Sequence, residues 1–114
     1  MLQVNKAFNW RKRIRTVYNL VVKMYIILVY DISNENNGQR RWNRVFKICK
    51  QYLNHIQNSV FEGEILESDL FKLKKKIQKE IDETIDSVII FKSRNERWLE
   101  KDILGTEIDD PQFI

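Results

Sequence analysis

Six consecutive residues, Tyr25-Ile26-Ile27-Leu28-Val29-Tyr30, carry no polar group beyond two phenolic hydroxyls. Side chains of a strand point alternately to opposite faces, so a stretch apolar at every position must be covered on both. Its β-branched and aromatic content favours a strand over a helical turn. It falls far short of the roughly 18 consecutive apolar residues that a membrane-spanning helix needs. The chain is therefore expected to build a sheet around this strand, away from any membrane.

The remaining elements follow by periodicity. Ser33 to Gly38 is polar with a glycine and reads as a loop. From Gln39 to Asn54 the spacing predicts a helix, with Trp42, Val45, Phe46, Cys49 and Leu53 on one apolar face. Arg40, Arg44, Lys47 and Lys50 fall on the other side. Ile56–Phe61 alternates as a strand, Glu62-Gly63 is expected to turn the chain, and Glu64–Leu66 makes a short third strand. Ser68 is a favoured N-cap for a second helix, with Asp69 in its first turn facing the positive end of the dipole. Leu70, Leu73, Ile77 and Ile81 form its inner stripe, with Lys72, Lys74, Lys75, Lys76 and Lys79 around it. Ser87–Lys92 is another apolar strand, and a last strand is expected near Arg97–Leu104 before a polar tail that holds Pro111. The order specifies an α+β chain, a ferredoxin-like βαββαβ arrangement with an additional C-terminal strand. Such a sheet carries both helices on one face. A second copy of the chain is the economical cover for the other, giving a homodimer packed through the sheet face.

At 114 residues the chain has room for one domain. We divide it into a basic N-terminal extension (1–23), the ferredoxin-like domain (24–105) and a C-terminal tail (106–114). The net charge of +4 is unevenly spread: Lys6, Arg11, Lys12, Arg13, Arg15 and Lys23 precede Met24 with no acid among them, and the rest of the chain is slightly acidic. The basic character of the whole is thus no argument that the body binds nucleic acid; local clusters must carry that. The extension is no signal peptide, since its longest apolar stretch is Leu20-Val21-Val22. Three readings fit it: a basic arm for phosphate or a partner, a short amphipathic helix through Phe8, Ile14, Val17 and Tyr18, or an upstream extension with Met24 as the functional start. Cys49 is the sole cysteine, which excludes an intrachain disulfide and a cysteine-built metal site, and points to the cytoplasm.

Several side chains have two readings. Asp31, at the end of the first strand, either organises the Ser33–Gly38 turn or offers a hard oxygen ligand to magnesium. One carboxylate is too little for an all-protein cage, but two copies of Asp31 across a two-fold axis would hold a hydrated ion. Arg40, Arg41, Arg44, Lys47 and Lys50 either track a phosphodiester backbone or form a solvated helix face. Lys74-Lys75-Lys76 reads as a solvated face offset by Glu80, Asp82 and Glu83. His55 has no acid at an obvious spacing and reads as structural, and Ser59 has no nearby base to make it a nucleophile. Trp42, Phe46, Phe61 and Phe91 are expected in the core, as is Cys49.

The segments YIILVYDIS, RRWNRVFKICKQYL and HIQNSVFEGEI together resemble the CRISPR-associated protein 2 family, the small endonuclease of the adaptation complex. The likeness covers about residues 24–105. It implies a ferredoxin-like homodimer, magnesium-dependent cleavage of RNA or double-stranded DNA in some members, and a bridging role in spacer acquisition beside the integrase of the protein 1 family. The family's catalytic, metal-binding aspartate falls on Asp31, its basic helix residue on Arg44, and its Ser-Val-Phe segment on Ser59, Val60 and Phe61. On this resemblance Arg44, Ser59 and Phe61 are expected to contact nucleic acid, and the basic cluster on the first helix adds Arg40 and Arg41. His55 stands where many relatives have a basic residue, and a neutral imidazole makes a poorer phosphate contact. Two rival functions stay open: a non-catalytic DNA-binding scaffold whose C-terminal strand, together with Ile103–Ile114, docks the integrase, and a stand-alone toxin-like RNase.

Overall fold

The computed structural model describes residues 23–94, 97 and 99–105. The readings made of the basic extension, apart from Lys23, and of the tail from residue 106 lie outside the described residues. The apolar run forms the heart of β1 (Lys23–Asp31), an interior strand with β3 (Val60–Leu66) on one side and β4 (Ser87–Ser93) on the other. β2 (Asn54–Gln57) completes a four-stranded sheet of order β2-β3-β1-β4, antiparallel at every pairing. α1 (Gly38–Tyr52) and α2 (Glu67–Glu80) give the expected β-α-β-β-α-β order. Among the described residues no helix is long and apolar enough to cross a membrane.

The alternation along β1 separates two surfaces. Ile26, Leu28 and Tyr30 are fully buried against Val45 and Cys49 of α1 and Leu70, Leu73 and Ile77 of α2, with Phe61 and Ile65 of β3 beside them. Ile27 and Val29 face the other way. The register sets Ile27 opposite Phe91, and Val29 between Ile89 and Val60. Phe91, expected in the core, is instead 56% exposed because it lies on the side of β4 away from the helices. Ile89 is 53% exposed, so this strip is an apolar surface on which the chain itself lays no helix.

Three further expectations are corrected. The reversal expected at Glu62-Gly63 occurs earlier: β2 stops at Gln57, and Asn58 takes a left-handed conformation at φ 42°. Asparagine tolerates that region, and β3 then runs unbroken through Gly63 to Leu66. A Cβ at Gly63 would meet only ordinary contacts, the nearest being Leu53 Cδ2 at 3.5 Å, so packing does not demand glycine there. α2 begins at Glu67 directly from the end of β3, with no side-chain cap. Ser68 lies inside its first turn, where Glu67 and Asp69 supply the negative charge that suits the dipole. The additional strand near Arg97–Leu104 is absent among the described residues of that segment. A strand needs a ladder partner. Here Lys101 instead makes a side-chain ion pair with Glu62 of β3.

Candidate active site at one end of the sheet

Asp31 ends β1, exposed, in register with Ser87 at the start of β4. By alternation it continues the Ile27, Val29 series, so it stands at the rim of the uncovered apolar face. The backbone then leaves the sheet through an unusual loop. Asn36 and Asn37 both adopt left-handed conformations, at φ 51° and 63°. At Gly38 a Cβ would lie 1.8 Å from the Ser33 carbonyl oxygen, so only glycine fits. The Glu35 amide donates to Ser33 Oγ at 3.1 Å, closing the loop locally.

Arg41 and Asp86 hold this loop from behind. Arg41 Nε donates to Asp86 Oδ2 at 2.8 Å and Nη2 to Asp86 Oδ1 at 3.2 Å. The same guanidinium donates to the carbonyls of Ser33 and Asn36. Asp86 in turn accepts from the amides of Ser33 (2.9 Å) and Asp82 (2.8 Å). Burial alone pushes the Asp86 carboxyl up, but the Arg41 guanidinium and these two amides together bring it below the usual carboxylate value. The bond to Asp86 likewise raises Arg41, burial notwithstanding. Asp82 is lowered by the hydroxyl and amide of Thr84, at 2.6 and 3.0 Å. None of this was legible in the sequence, because the partners lie 45 residues apart and carboxylate–arginine pairs have no spacing rule at that range.

The sequence-predicted site residues do not all meet. Ser59 comes close to Asp31: its carbonyl accepts the amide of Tyr30 at 3.1 Å, so the β2–β3 turn is hooked to the end of β1. Arg40 and Arg44 line a shallow groove on the outer side of α1 with Asn37, Gln39, Asn43 and Lys47. Both are exposed, and Arg44 pairs with Glu80 of α2 at 3.1 Å. Arg41 belongs to the interior clamp instead, its side chain only 12% exposed. Phe61 has no exposed surface, as its core reading expects and against its nucleic-acid one. Its ring packs against Tyr30 (6.2 Å), Phe46 (5.4 Å) and His55 (4.9 Å), because it sits on the helix-covered side of β3. A base has no access to it there. His55 is structural, as expected: it is edge-on to Phe46 at 4.7 Å, with Nε2 2.7 Å from the Asn58 carbonyl.

No group of three metal-ligating side chains converges among the described residues. Asp31 offers one exposed carboxylate per chain, too little for an all-protein cage. Cys49 is fully buried, its thiol pushed up to about 12 by that burial, and is no ligand or nucleophile.

Known proteins match this architecture. The family described as CRISPR associated protein Cas2 matches residues 24–101. The "CRISPR-associated endoribonuclease Cas2" of Fusobacterium nucleatum subsp. nucleatum is 58% identical over 87 residues, 76% of this chain and 82% of that protein. A solved structure described as "Crystal structure of cas2" superposes with a TM-score of 0.66 at 34% identity, covering 77% of this chain and 93% of that one. That of Streptococcus pyogenes Cas2 does so with a TM-score of 0.55 at 31% identity, covering 59% and 82%. The family match spans most of the sequence and ends close to where the described fold does, so this chain belongs to the Cas2 family of CRISPR-associated proteins.

Proposed function

We propose that the chain is a metal-dependent endonuclease subunit of CRISPR spacer acquisition, cleaving phosphodiesters as a homodimer. The observation that carries this reading is that Asp31 shares its side of the sheet with an apolar strip, half-buried Ile27, Val29 and Val60 and exposed Ile89 and Phe91. Two copies joined through that strip would bring two strand-end carboxylates toward one axis. RNA is the favoured substrate, since the curated relative from Fusobacterium nucleatum is named an endoribonuclease; double-stranded DNA is the alternative. Magnesium would be held by the Asp31 carboxylates of the two copies. When bound, it supplies positive charge to the scissile phosphate and a water of lowered pKa. The chain's own part is to present Asp31 from a rigid strand end and to bind the backbone through Arg40, Arg44 and the turn at Ser59. The exposed Arg44–Glu80 pair is weak enough for a phosphate to displace the carboxylate.

The test compares wild type with Asp31→Ala on labelled single-stranded RNA and duplex DNA, with and without magnesium. Loss of at least about 100-fold in rate is expected for the variant. Equal cleavage by both proteins would remove the catalytic role.

A second reading, a scaffold that bridges integrase subunits without needing catalysis, draws on the basic groove of α1 lined by Arg40, Arg44 and Lys47. If Asp31→Ala supports spacer integration while Arg40→Glu with Arg44→Glu abolishes it, the scaffold is the cellular role.

A further inference from the structure

The Asp31 carboxylate is exposed at the end of β1. Ser33, two residues after it, is held through both backbone groups: its amide by Asp86 Oδ1 at 2.9 Å and its carbonyl by Arg41 Nη2 at 3.2 Å. Ser87, which faces Asp31 across the ladder, directly follows Asp86 in the chain. One buried ion pair therefore holds Ser33, two residues beyond the strand-end carboxylate, and sits one residue before its cross-strand partner Ser87. The Asp86 side chain is fully buried and Arg41 nearly so, and Asp86 also ties down the start of the α2–β4 loop through the Asp82 amide.

We propose that Arg41 and Asp86 are positioning residues for Asp31, and that Arg41 does not bind the nucleic acid. This rests on the active-site reading given above. The guanidinium geometry is what the task requires. Its planar fork spans both Asp86 oxygens while its remaining N–H groups reach two loop carbonyls, which a lysine ammonium cannot reproduce. A buried pair of this kind is poor evidence of added stability, but it fixes one arrangement of the groups around it. An arginine serving phosphate would instead be exposed, as Arg40 is.

The experiment compares wild type, Arg41→Lys, Asp86→Asn, Arg40→Ala and Asp31→Ala. Each is assayed with magnesium on a labelled single-stranded RNA oligonucleotide below its own melting temperature, and Mn2+ binding is measured by titration calorimetry. A displaced catalytic group lowers turnover without weakening substrate binding. Arg41→Lys and Asp86→Asn should therefore lose on the order of 10- to 100-fold in kcat with KM within about 2-fold of wild type. Their Mn2+ affinity should fall as it does in Asp31→Ala. Arg40→Ala should raise KM instead. A raised KM at unchanged kcat in Arg41→Lys would make Arg41 a nucleic-acid contact and overturn the proposal. So would a folded Asp86→Asn that keeps wild-type kcat and Mn2+ affinity, and this near-isosteric variant decides the matter if Arg41→Lys does not fold. Equal cleavage by wild type and Asp31→Ala is a different failure: it removes the active-site reading, and the positioning role with it, whatever the Arg41 variants do.

Discussion

Tyr30 and Asp31 are adjacent, yet one hydroxyl is sealed in the core and the next carboxylate stands in solvent. Tyr30 Oη has no hydrogen-bond partner among the described residues, and burial, with Cys49 nearby, pushes its pKa above the ordinary value. An unsatisfied buried hydroxyl costs stability. Tyr30→Phe should therefore unfold at the same or a higher urea concentration, a gain of about 0–1 kcal/mol; a clear loss would mean that the hydroxyl has a partner in solution. Asp86 carries the opposite lesson. Its folded pKa lies below the unfolded value of about 3.9. Its contribution is thus fully present above that value and is lost as pH falls through the lowered one. The urea midpoint of wild type should fall below about pH 4, whereas Asp86→Asn should be less stable at neutral pH but show a shallower acid decline. Parallel acid declines in the two proteins would show that Asp86 is not a source of it.

At the scale of elements, α1 divides its work by helical face. Val45 and Cys49 fill the core, Trp42 and Phe46 stack at 5.3 Å over its edge, and the outer side presents Arg40, Arg44 and Lys47. The 3.6-residue period made both faces readable from the sequence. Arg41 was not readable, because position alone cannot distinguish a flank residue facing solvent from one that reaches a buried carboxylate. The β2–β3 turn shows how a hairpin can be misplaced. The glycine at 63 looked like its pivot, but the pivot is Asn58. Asn58→Gly should leave stability within about 0.5 kcal/mol of wild type, while Asn58→Val should lose about 1–2 kcal/mol through a strained left-handed β-branched residue. Thermal melts of the two variants check this, and equal melting temperatures would place the reversal elsewhere.

For the whole molecule, the uncovered sheet face matters most. Ile89 and Phe91 are more than half exposed in the single chain, so charge placed there should disturb association and spare the fold. Phe91→Glu is expected to sediment as a monomer with unchanged far-UV circular dichroism, and to lose cleavage along with the dimer. A Phe91→Glu protein that sediments as a dimer would exclude this face as the interface.

Local rules carried much of the result. A strand apolar at every position, a helix with one apolar stripe and a second like it specified the βαββαβ order, the central place of β1 and the exposed strand-end Asp31, because side-chain period and burial are properties of neighbouring residues. The added strand at Arg97–Leu104 rested on a segment read by itself, and there the expectation departed from the fold. Which face of β3 a ring occupies, and which carboxylate a guanidinium finds 45 residues away, is decided when the sheet closes and buried charges must find partners. That closure turned Arg41 and Asp86 into the frame around Asp31.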